Sequence, residues 1–248
     1  MSSPQILAEQ AENQTDALDR WLKDEAEDQR MTDDHLPLWD RMIELMNERE
    51  LTGAKVLDYG CNTGGLLQRL YHTKPYAKGV GVDLAEGQVT EARKLRTDGP
   101  YEFASLDALD SQVAEYDFAF SHEVIYLLPS IEEHVQLIRR VLKPGGIYYA
   151  ATGCHTANPQ WPQWREIIAN YSNVKPGDYS PEDYGFSFER AGFKVGVQPY
   201  GTGRFLPLEK KEELFPTVAS IVDYYRNHKL LFRFQRDTLP ASSPVEVA

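Results

Sequence analysis

The sequence predicts an α/β protein with a doubly wound, mostly parallel β-sheet, and three observations support this class. From Ala54 onward, short apolar runs alternate with helical segments, which is the pattern of βαβ units. The first apolar run leads into a glycine-rich turn, VLDYGCNTGG at residues 56–65. The chain has 248 residues, of which 42% are apolar, enough to bury one sizeable core. We therefore expect a single α/β domain with additions.

The strands and helices can be placed in order along the chain. Apolar runs predict strands at residues 55–59, 79–83, 101–105, 116–121, 146–152, 194–200 and 229–236. Helical segments are predicted at residues 65–71, 86–95, 131–142, 181–191 and 210–228. The third helix runs into Lys143-Pro144-Gly145-Gly146, where proline and glycine stop the helix and turn the chain into the fifth strand.

Additions to this domain are expected at both ends and after the fifth strand. Residues 1–50 predict an N-terminal cap of two amphipathic helices, which covers one edge of the core or contacts the ligand. Its apolar positions recur at helical spacing: Leu18, Trp21, Leu22, Leu38, Trp39, Met42, Ile43 and Met46. Residues 154–180, rich in proline, asparagine and aromatics, predict a lid-like insertion in a domain spanning 51–238. A disordered tail is expected at 239–248.

Composition excludes several classes of partner. The formal net charge of −12 and the lack of a basic stripe argue against nucleic acid, which needs clustered lysine and arginine. The two cysteines, Cys61 and Cys154, cannot form a multi-bridge framework, which favours a reducing cytoplasm. No secretory leader and no apolar run near the roughly 20 residues that span a bilayer is visible. We expect a cytoplasmic protein without membrane attachment.

The glycine turn itself favours one cofactor over another. A dinucleotide turn needs G-x-G-x-x-G, yet that template places Asn62 where its middle glycine belongs. The turn reads D-x-G-x-x-x-G instead. Its residues resemble motif I of the class I S-adenosylmethionine-dependent methyltransferases: Asp58, Gly60, Cys61, Asn62, Thr63 and Gly64. In that family the loop receives the methionine end and ribose of the cofactor, and an acidic loop suits its ammonium group.

Further motifs follow in the order of the same family. Asp83 ends the second strand, where a carboxylate can accept hydrogen bonds from ribose hydroxyls, and Leu84 would pack on the adenine. Asp107 resembles the residue that accepts from the adenine amino group, with Ala108 as a backbone donor. YDFAFSHEVIYLL and VLKPGGIYYA resemble the fourth-strand and fifth-strand motifs. The resemblance implies S-adenosylmethionine as cofactor and a Rossmann-like, seven-stranded sheet whose last strand is antiparallel.

Catalytic candidates are expected after strands four and five, because ligands bind at the carboxyl ends of strands in open α/β sheets. His122 is the first candidate for a general base, and with Ser121 it is also a candidate cofactor contact. Tyr126 could shape the acceptor pocket, and His155 is either an acceptor contact or a solvated loop histidine. No metal site is expected, because no His-x-x-x-His or Cys-x-x-Cys spacing occurs.

The acceptor is predicted by elimination to be a small molecule that offers an O, N or S nucleophile. Aromatic residues of the insertion line its pocket or pack on themselves: Trp161, Trp164, Tyr171, Tyr179 and Tyr184. Arg165, Arg204 and Arg226 are candidates to grip an acceptor carboxylate. A protein methyltransferase and a cofactor-binding sensor without transfer stay open as alternatives, and a homodimer is also left open.

Overall fold

The structure is a computed structural model that describes residues 19–21, 25–206 and 214–238, and the side chains of these except residues 25–33. Its strands are β1 Leu51–Tyr59, β2 Tyr76–Asp83, β3 Tyr101–Ser105, β4 Tyr116–His122, β5 Leu142–Thr152, β6 Phe193–Pro199 and β7 Leu230–Arg236. Its α-helices are α1 Glu25–Leu45, α2 Gly65–Thr73, α3 Glu86–Leu95, α4 Ile131–Val141, α5 Trp161–Tyr171, α6 Pro181–Arg190 and α7 Val218–Asp223.

The seven strands form one sheet in the order β3-β2-β1-β4-β5-β7-β6. Strands β1 to β5 pair in parallel, whereas β7 pairs antiparallel with both β5 and β6. The strand order reverses between β1 and β4, which is where ligands bind in doubly wound sheets. The predicted fold class, a mostly parallel seven-stranded sheet with an antiparallel last strand, is confirmed.

Helices cover both faces of this sheet. One core contains apolar residues of α1, α2 and α3: Met42, Ile43, Met46, Leu66, Leu67, Leu70, Val89 and Ala92. The other contains apolar residues of α4 and α6: Ile131, Val135, Ile138, Tyr184 and Phe188. Strand β5 contributes to both, because successive side chains point to opposite faces: Tyr149 lies in the first core and Tyr148 in the second.

A third buried cluster lies beyond the carboxyl ends of β4 and β5, and we call it the aromatic cluster. Its members come from the segments that follow β4 and β5 and from the segment that precedes β7: Tyr126, Cys154, Trp161, Trp164, Phe215, Ile221, Tyr224 and Tyr225. Trp164 and Tyr224 meet edge to face, with ring centroids 4.9 Å apart. The cluster therefore covers the strand ends where an acceptor is expected.

The structure differs from the sequence predictions at several element boundaries. Strand β5 begins at Leu142 and not at residue 146, because Leu142 already pairs with Tyr116 before the register shifts. Gly145 lies in this irregularity with a left-handed φ of 81°. The fourth-strand prediction was one residue short. Helix α5 lies inside the predicted insertion, where no helix was predicted.

The predicted terminal helices fall partly outside the described residues. Within residues 19–50, one helix, α1, is described, and it includes Pro37. Leu18 and Leu22, two of the apolar positions predicted for a preceding helix, lie outside the described residues. The helix predicted at 210–228 begins at Val218 in the described part, after Thr217, whose side chain accepts a hydrogen bond from the Ser220 N–H. The tail at 239–248 lies outside as well.

Candidate active site

The glycine turn joins β1 to α2 in a backbone conformation that its sequence permits. Gly60, Asn62 and Gly64 have left-handed φ values of 77°, 47° and 76°. Asparagine tolerates this region better than most residues, and glycine adopts it freely. A Cβ at Gly60 would lie 2.5 Å from Val124, and one at Gly64 would lie 2.4 Å from Phe103. Both glycines are therefore required by packing as well as by φ.

Asp83 fixes this turn in place. Its Oδ2 accepts a hydrogen bond of 2.8 Å from the Asn62 N–H, and its Oδ1 accepts one of 2.9 Å from the Ala85 N–H. The N–H groups of Gly60 and Cys61 donate to the carbonyl of Val82, at 2.8 and 3.0 Å. Both carboxylate oxygens of Asp83 therefore hold the turn, at the point where β2 ends.

Asp58 is a buried carboxylate at the end of β1. It is 2% exposed, and its Oδ2 has no hydrogen-bond partner among the described residues. Burial, followed by the charge of Asp83, raises the pKa of Asp58 to about 8. The Oδ1 of Asn62 is likewise buried without a partner in the described chain. A cationic ligand with hydrogen-bond donors would satisfy both oxygens.

The remaining predicted cofactor residues lie around this turn and the neighbouring strand ends. Thr63 is half-buried, and its carbonyl accepts a hydrogen bond of 3.0 Å from the Arg96 guanidinium. Leu84 follows β2 with 51% of its surface exposed. Asp107 and Ala108 are exposed in a short 3₁₀ turn after β3, and the Asp107 carboxylate accepts from the Ser105 hydroxyl. Adjacent strands therefore bring these side chains to one edge of the sheet.

Cys61 and Ser121 turn away from solvent. Burial and the charges of Asp83 and Asp58 raise the pKa of the Cys61 thiol well above its usual range, which keeps it protonated. The Ser121 hydroxyl lies 2.6 Å from that of Tyr148, whose oxygen is 3.0 Å from His134 Nε2. This chain of hydrogen bonds lies in the core beneath α4. Only the backbone of Ser121 is left for a cofactor contact.

His122 ends β4 beside the glycine turn. Its Nε2 is buried without a hydrogen-bond partner among the described residues. Its ring meets His35 of α1 edge to face at 5.1 Å and lies 6.1 Å from the ring of Tyr200. Burial, then the charges of Lys229 and His35, lowers the pKa of His122 well below its usual range. The imidazole is therefore neutral at physiological pH.

An ion pair lies directly beyond His122. The Lys229 ammonium donates to Glu123 Oε1, and Lys229 is 1% exposed. The Thr152 hydroxyl donates to Glu123 Oε2 at 3.4 Å, at the end of β5. Lys229 Nζ also lies 5.1 Å from the centroid of the Tyr200 ring. Both charges are thus enclosed at the carboxyl edge of the sheet.

The other two predicted catalytic residues have different surroundings. His155 is buried, and its Nε2 lies 2.7 Å from the carbonyl oxygen of His228. Burial lowers the pKa of His155. Tyr126 is buried in the aromatic cluster, with its ring 5.8 Å from that of Trp161. Burial, followed by the charge of Cys154, raises the pKa of Tyr126 well above its usual range, which keeps its hydroxyl protonated.

Sequence reasoning missed three contributors to this region. His35 is on α1, and Lys229 precedes β7 in an apolar stretch. Glu123 was considered only as a neighbour of His122. A lysine between a predicted helix and a strand is usually solvated, so no signal in the sequence indicated that these side chains meet.

The three candidate arginines divide into two groups. Arg165 forms an ion pair of 3.2 Å with Asp178 inside the insertion. Arg204 and Arg226 line one surface groove of about 740 Å³ between the β6–α7 loop and α7. Among the described residues that line this groove, none carries a carboxylate. Tyr225 also lines this groove and is 7% exposed, and burial raises its pKa while the charge of Lys229 opposes that shift.

The described part of the chain contains neither a metal-binding cluster nor a membrane-spanning helix. No group of three His, Cys, Asp or Glu side chains there could hold a metal ion. No helix there combines the length and the apolar character that crossing a bilayer needs.

Comparison with known proteins identifies the family. Residues 51–192 match the family model described as a methyltransferase domain, which is more than half of the chain. This chain belongs to that family. Solved methyltransferases with the same fold contain S-adenosylmethionine or S-adenosyl-L-homocysteine.

Individual relatives of this methyltransferase are distant in sequence. Malonyl-[acyl-carrier protein] O-methyltransferase of Enterobacter lignolyticus is 30% identical over 115 residues, which cover 46% of this chain and 45% of that protein. Fatty-acid O-methyltransferase of Mycolicibacterium smegmatis is 28% identical over 127 residues, covering 50% of this chain and 45% of that one. The chain thus spans about half the length of such curated relatives.

Solved structures resemble the whole fold. A chain in the complex of the Haloferax volcanii Trm112 methyltransferase activator with a methyltransferase superimposes with a TM-score of 0.72 and 25% identity, covering 86% of this chain and 95% of that one. The Streptomyces coelicolor geranyl diphosphate C-methyltransferase, solved with S-adenosyl-L-homocysteine, has a TM-score of 0.61 at 16% identity, covering 80% and 74%. At that identity the likeness establishes the fold alone.

Proposed function

We propose that this chain transfers the methyl group of S-adenosylmethionine to an O, N or S nucleophile of a small molecule. One observation carries the proposal: three buried polar atoms at the ends of the adjacent strands β1 and β4 have no partner in the described chain. They are Asp58 Oδ2, Asn62 Oδ1 and His122 Nε2. Because unpaired buried polar groups cost free energy, their concentration at a strand-order reversal supports a ligand site.

The residues around the turn suit the parts of the cofactor. Asp58 and Asn62 would receive the ammonium group, and the Asp83 carboxylate would accept from the ribose hydroxyls. Asp107 and Ala108 would bind the adenine edge, while the exposed Leu84 would cover its face. These roles follow the order in which β1, β2 and β3 lie in the sheet.

Methyl transfer requires little acid–base chemistry from the protein. When bound, the cofactor supplies a methyl group that its sulfonium sulfur has already activated. The chain has to orient the nucleophile, exclude water and accept a proton. The aromatic cluster excludes water at the ends of β4 and β5, and neutral His122 offers a proton acceptor beside the turn.

The groove with Arg204 and Arg226 supports an acidic acceptor that has an apolar body. Two guanidinium groups bind a carboxylate well, and the same groove is lined by Leu206, Val218 and Ile221. Two relatives are named for malonyl-[acyl-carrier protein] and for a fatty acid, and a fatty acid combines an acidic group with an apolar body. Acidic small molecules are therefore the first acceptors to test.

The experiment incubates the protein with S-adenosylmethionine and a panel of fatty acids, acyl thioesters, phenols, amines and thiols. Production of S-adenosylhomocysteine and of the methylated acceptor is measured by mass spectrometry, with the Asp83→Ala variant as the inactive control. We expect turnover with at least one acidic small molecule. The proposal fails if no acceptor is methylated although the protein binds the cofactor.

A protein acceptor and a cofactor-binding module without transfer are the alternatives. A [4+2]-cyclase, SpnF, superimposes on this chain with a TM-score of 0.56 at 20% identity, so the fold alone does not decide the reaction. Adding unfolded proteins and peptides to the panel tests the first alternative. Cofactor binding without any methylated product would favour the second.

A further inference from the structure

The buried ion pair of Glu123 and Lys229 is not explained by stability. Taking the two charges out of water costs several kcal/mol per ion, and buried pairs are often replaced by apolar side chains without loss. Lys229 is 1% exposed, and the Glu123 side chain retains only 14% of its exposure. The pair lies at the carboxyl edge of the sheet, next to His122.

The backbone of Glu123 also adopts a strained conformation. Its φ is 57°, in the left-handed region, which costs a non-glycine residue about 1–3 kcal/mol. The Glu123 N–H donates to the carbonyl of Ala151 at 2.9 Å, which locks the end of β4 to β5. This turn directs the carboxylate to Lys229 and Thr152. Strain and burial therefore coincide at one residue beside the candidate base.

Four ionisable side chains surround the imidazole of His122. His35 faces it from α1, Tyr200 from the end of β6, Lys229 from the start of β7, and Glu123 follows it in the chain. Lys229 Nζ lies 5.1 Å and the His122 ring centroid 6.1 Å from the centroid of the same neighbour, the Tyr200 ring. The positive charge of Lys229 acts on His122, while its own position is held by Glu123.

We propose that Lys229, held in place by Glu123, is a positioning residue of the acceptor site that adds to burial in keeping His122 uncharged, so that Nε2 accepts the proton of the attacking nucleophile. This inference rests on the proposed methyl transfer. A charged imidazole would donate through both nitrogens and could not accept this proton. Removing the ammonium would let His122 take up a proton from water and lose this role.

The role defines the class of acceptor. The nucleophile must carry a proton, as a hydroxyl, thiol or N–H group does. Its bond to hydrogen breaks and its bond to the methyl carbon forms, the proton passes to Nε2, and the electron pair of the broken carbon–sulfur bond stays on sulfur. His122 is then the catalytic residue, and Glu123 and Lys229 act through it.

The test measures the ionisation of His122 directly, without an acceptor. In protein labelled with ¹⁵N-histidine, the His122 signals are assigned with a His122→Asn variant and followed by NMR from about pH 5 to about pH 8, the range in which histidine normally titrates. We expect the wild-type ring to stay neutral. In Lys229→Met the ring should take up a proton within this range, because the uncompensated Glu123 carboxylate favours the cation.

Glu123→Gln separates the electrostatic role from a merely structural one. It retains the ammonium, so His122 should stay neutral, whereas loosened packing would shift both variants alike. The double variant Glu123→Gln/Lys229→Met retains the side-chain volumes and removes both charges, and its titration should fall between those of Glu123→Gln and Lys229→Met. It also answers the question if Lys229→Met alone does not fold. Lys143→Met, which breaks an ion pair with Asp117 at the opposite edge, is the control.

Two results would overturn the inference: an unchanged His122 titration in Lys229→Met, or equal shifts in the same direction for Lys229→Met and Glu123→Gln. With an acceptor from the panel, the acid limb of the pH profile of kcat/KM should move with the NMR titration. A chain that methylates nothing but shows the expected order of titrations contradicts the proposed function alone. A chain that methylates an acceptor but lacks the expected order of titrations contradicts only the role of Lys229.

Discussion

The two halves of the candidate site satisfy their polar groups in opposite ways. On the β1–β2 half, Asp58 and Asn62 leave buried oxygens without partners among the described residues. On the β4–β5 half, the Glu123 and Lys229 charges are paired with each other, and Lys229 Nζ lies 5.1 Å from the centroid of the Tyr200 ring. The first half therefore offers acidic and amide oxygens to a cation, while the second has its charges paired and leaves the neutral Nε2 of His122 without a partner in the described chain. This difference suits the ammonium group of a cofactor on the first side and a methyl acceptor on the second.

Replacing Asp83 should have the largest effect on the cofactor half of the site. Asp83→Ala removes two hydrogen bonds that hold the glycine turn, each of a type that contributes about 1.5–3 kcal/mol. We expect affinity for S-adenosylhomocysteine to fall by about a hundredfold or more, measured by isothermal titration calorimetry. Asp117→Ala, which removes a carboxylate bonded to Lys55 and Lys143 at the opposite edge, should leave it nearly unchanged. Equal losses in both variants would contradict the assignment.

The Asp58 carboxyl group should lower the stability of the folded protein at neutral pH and strengthen cofactor binding. Its folded pKa of about 8 lies above the usual value of 3.8, so the folded state retains a proton that the unfolded state releases. The free energy of unfolding of the cofactor-free protein should therefore fall as pH rises between these two values. Asp58→Asn should remove that fall and raise the Tm at pH 7, while weakening cofactor binding about tenfold or more. A lower Tm together with unchanged binding would contradict this account.

Binding to the wild-type protein should also release a proton. An ammonium group beside Asp58 favours the carboxylate, so cofactor affinity should rise with pH below about pH 8. Calorimetry in two buffers of different ionisation enthalpy measures the released protons directly. Asp58→Asn is the matched control, in which this release should disappear.

The acceptor half should respond to the groove arginines without any change in the cofactor half. Arg204→Gln and Arg226→Gln should each raise the KM for an acidic acceptor about tenfold, because each removes a charge-assisted hydrogen bond. Arg165→Gln, whose partner is Asp178, is the control that should leave KM unchanged. If all three variants behave alike, the groove is not part of the acceptor site.

The smallest effect is expected at Ser121. Its hydroxyl bonds Tyr148 in the core, so Ser121→Ala should lower the free energy of unfolding by about 1 kcal/mol. Cofactor affinity should change less than about twofold. A large loss of affinity with unchanged stability would instead make the hydroxyl a cofactor contact.

The outline of the fold and the cofactor half could be predicted because their signals are local. Each signal lies within a short stretch of sequence. The signals are glycine at left-handed positions, a carboxylate before the turn and another carboxylate at the end of β2. The ends of β1 and β2 meet simply because the strands are adjacent and parallel. Boundaries such as the start of β5 failed because a bulge at Gly145 extends pairing beyond the proline–glycine signal.

The sequence by itself determined the α/β class, the order of its strands along the chain and the family of its cofactor loop. The tertiary structure decided which charges are buried together. Lys229 and Glu123 are 106 positions apart, and neither differs in its local sequence from a solvated residue. They meet because β7 inserts between β5 and β6, so that its beginning lies beside the end of β5. The acceptor half is thus a product of topology, and only long-range packing could reveal it.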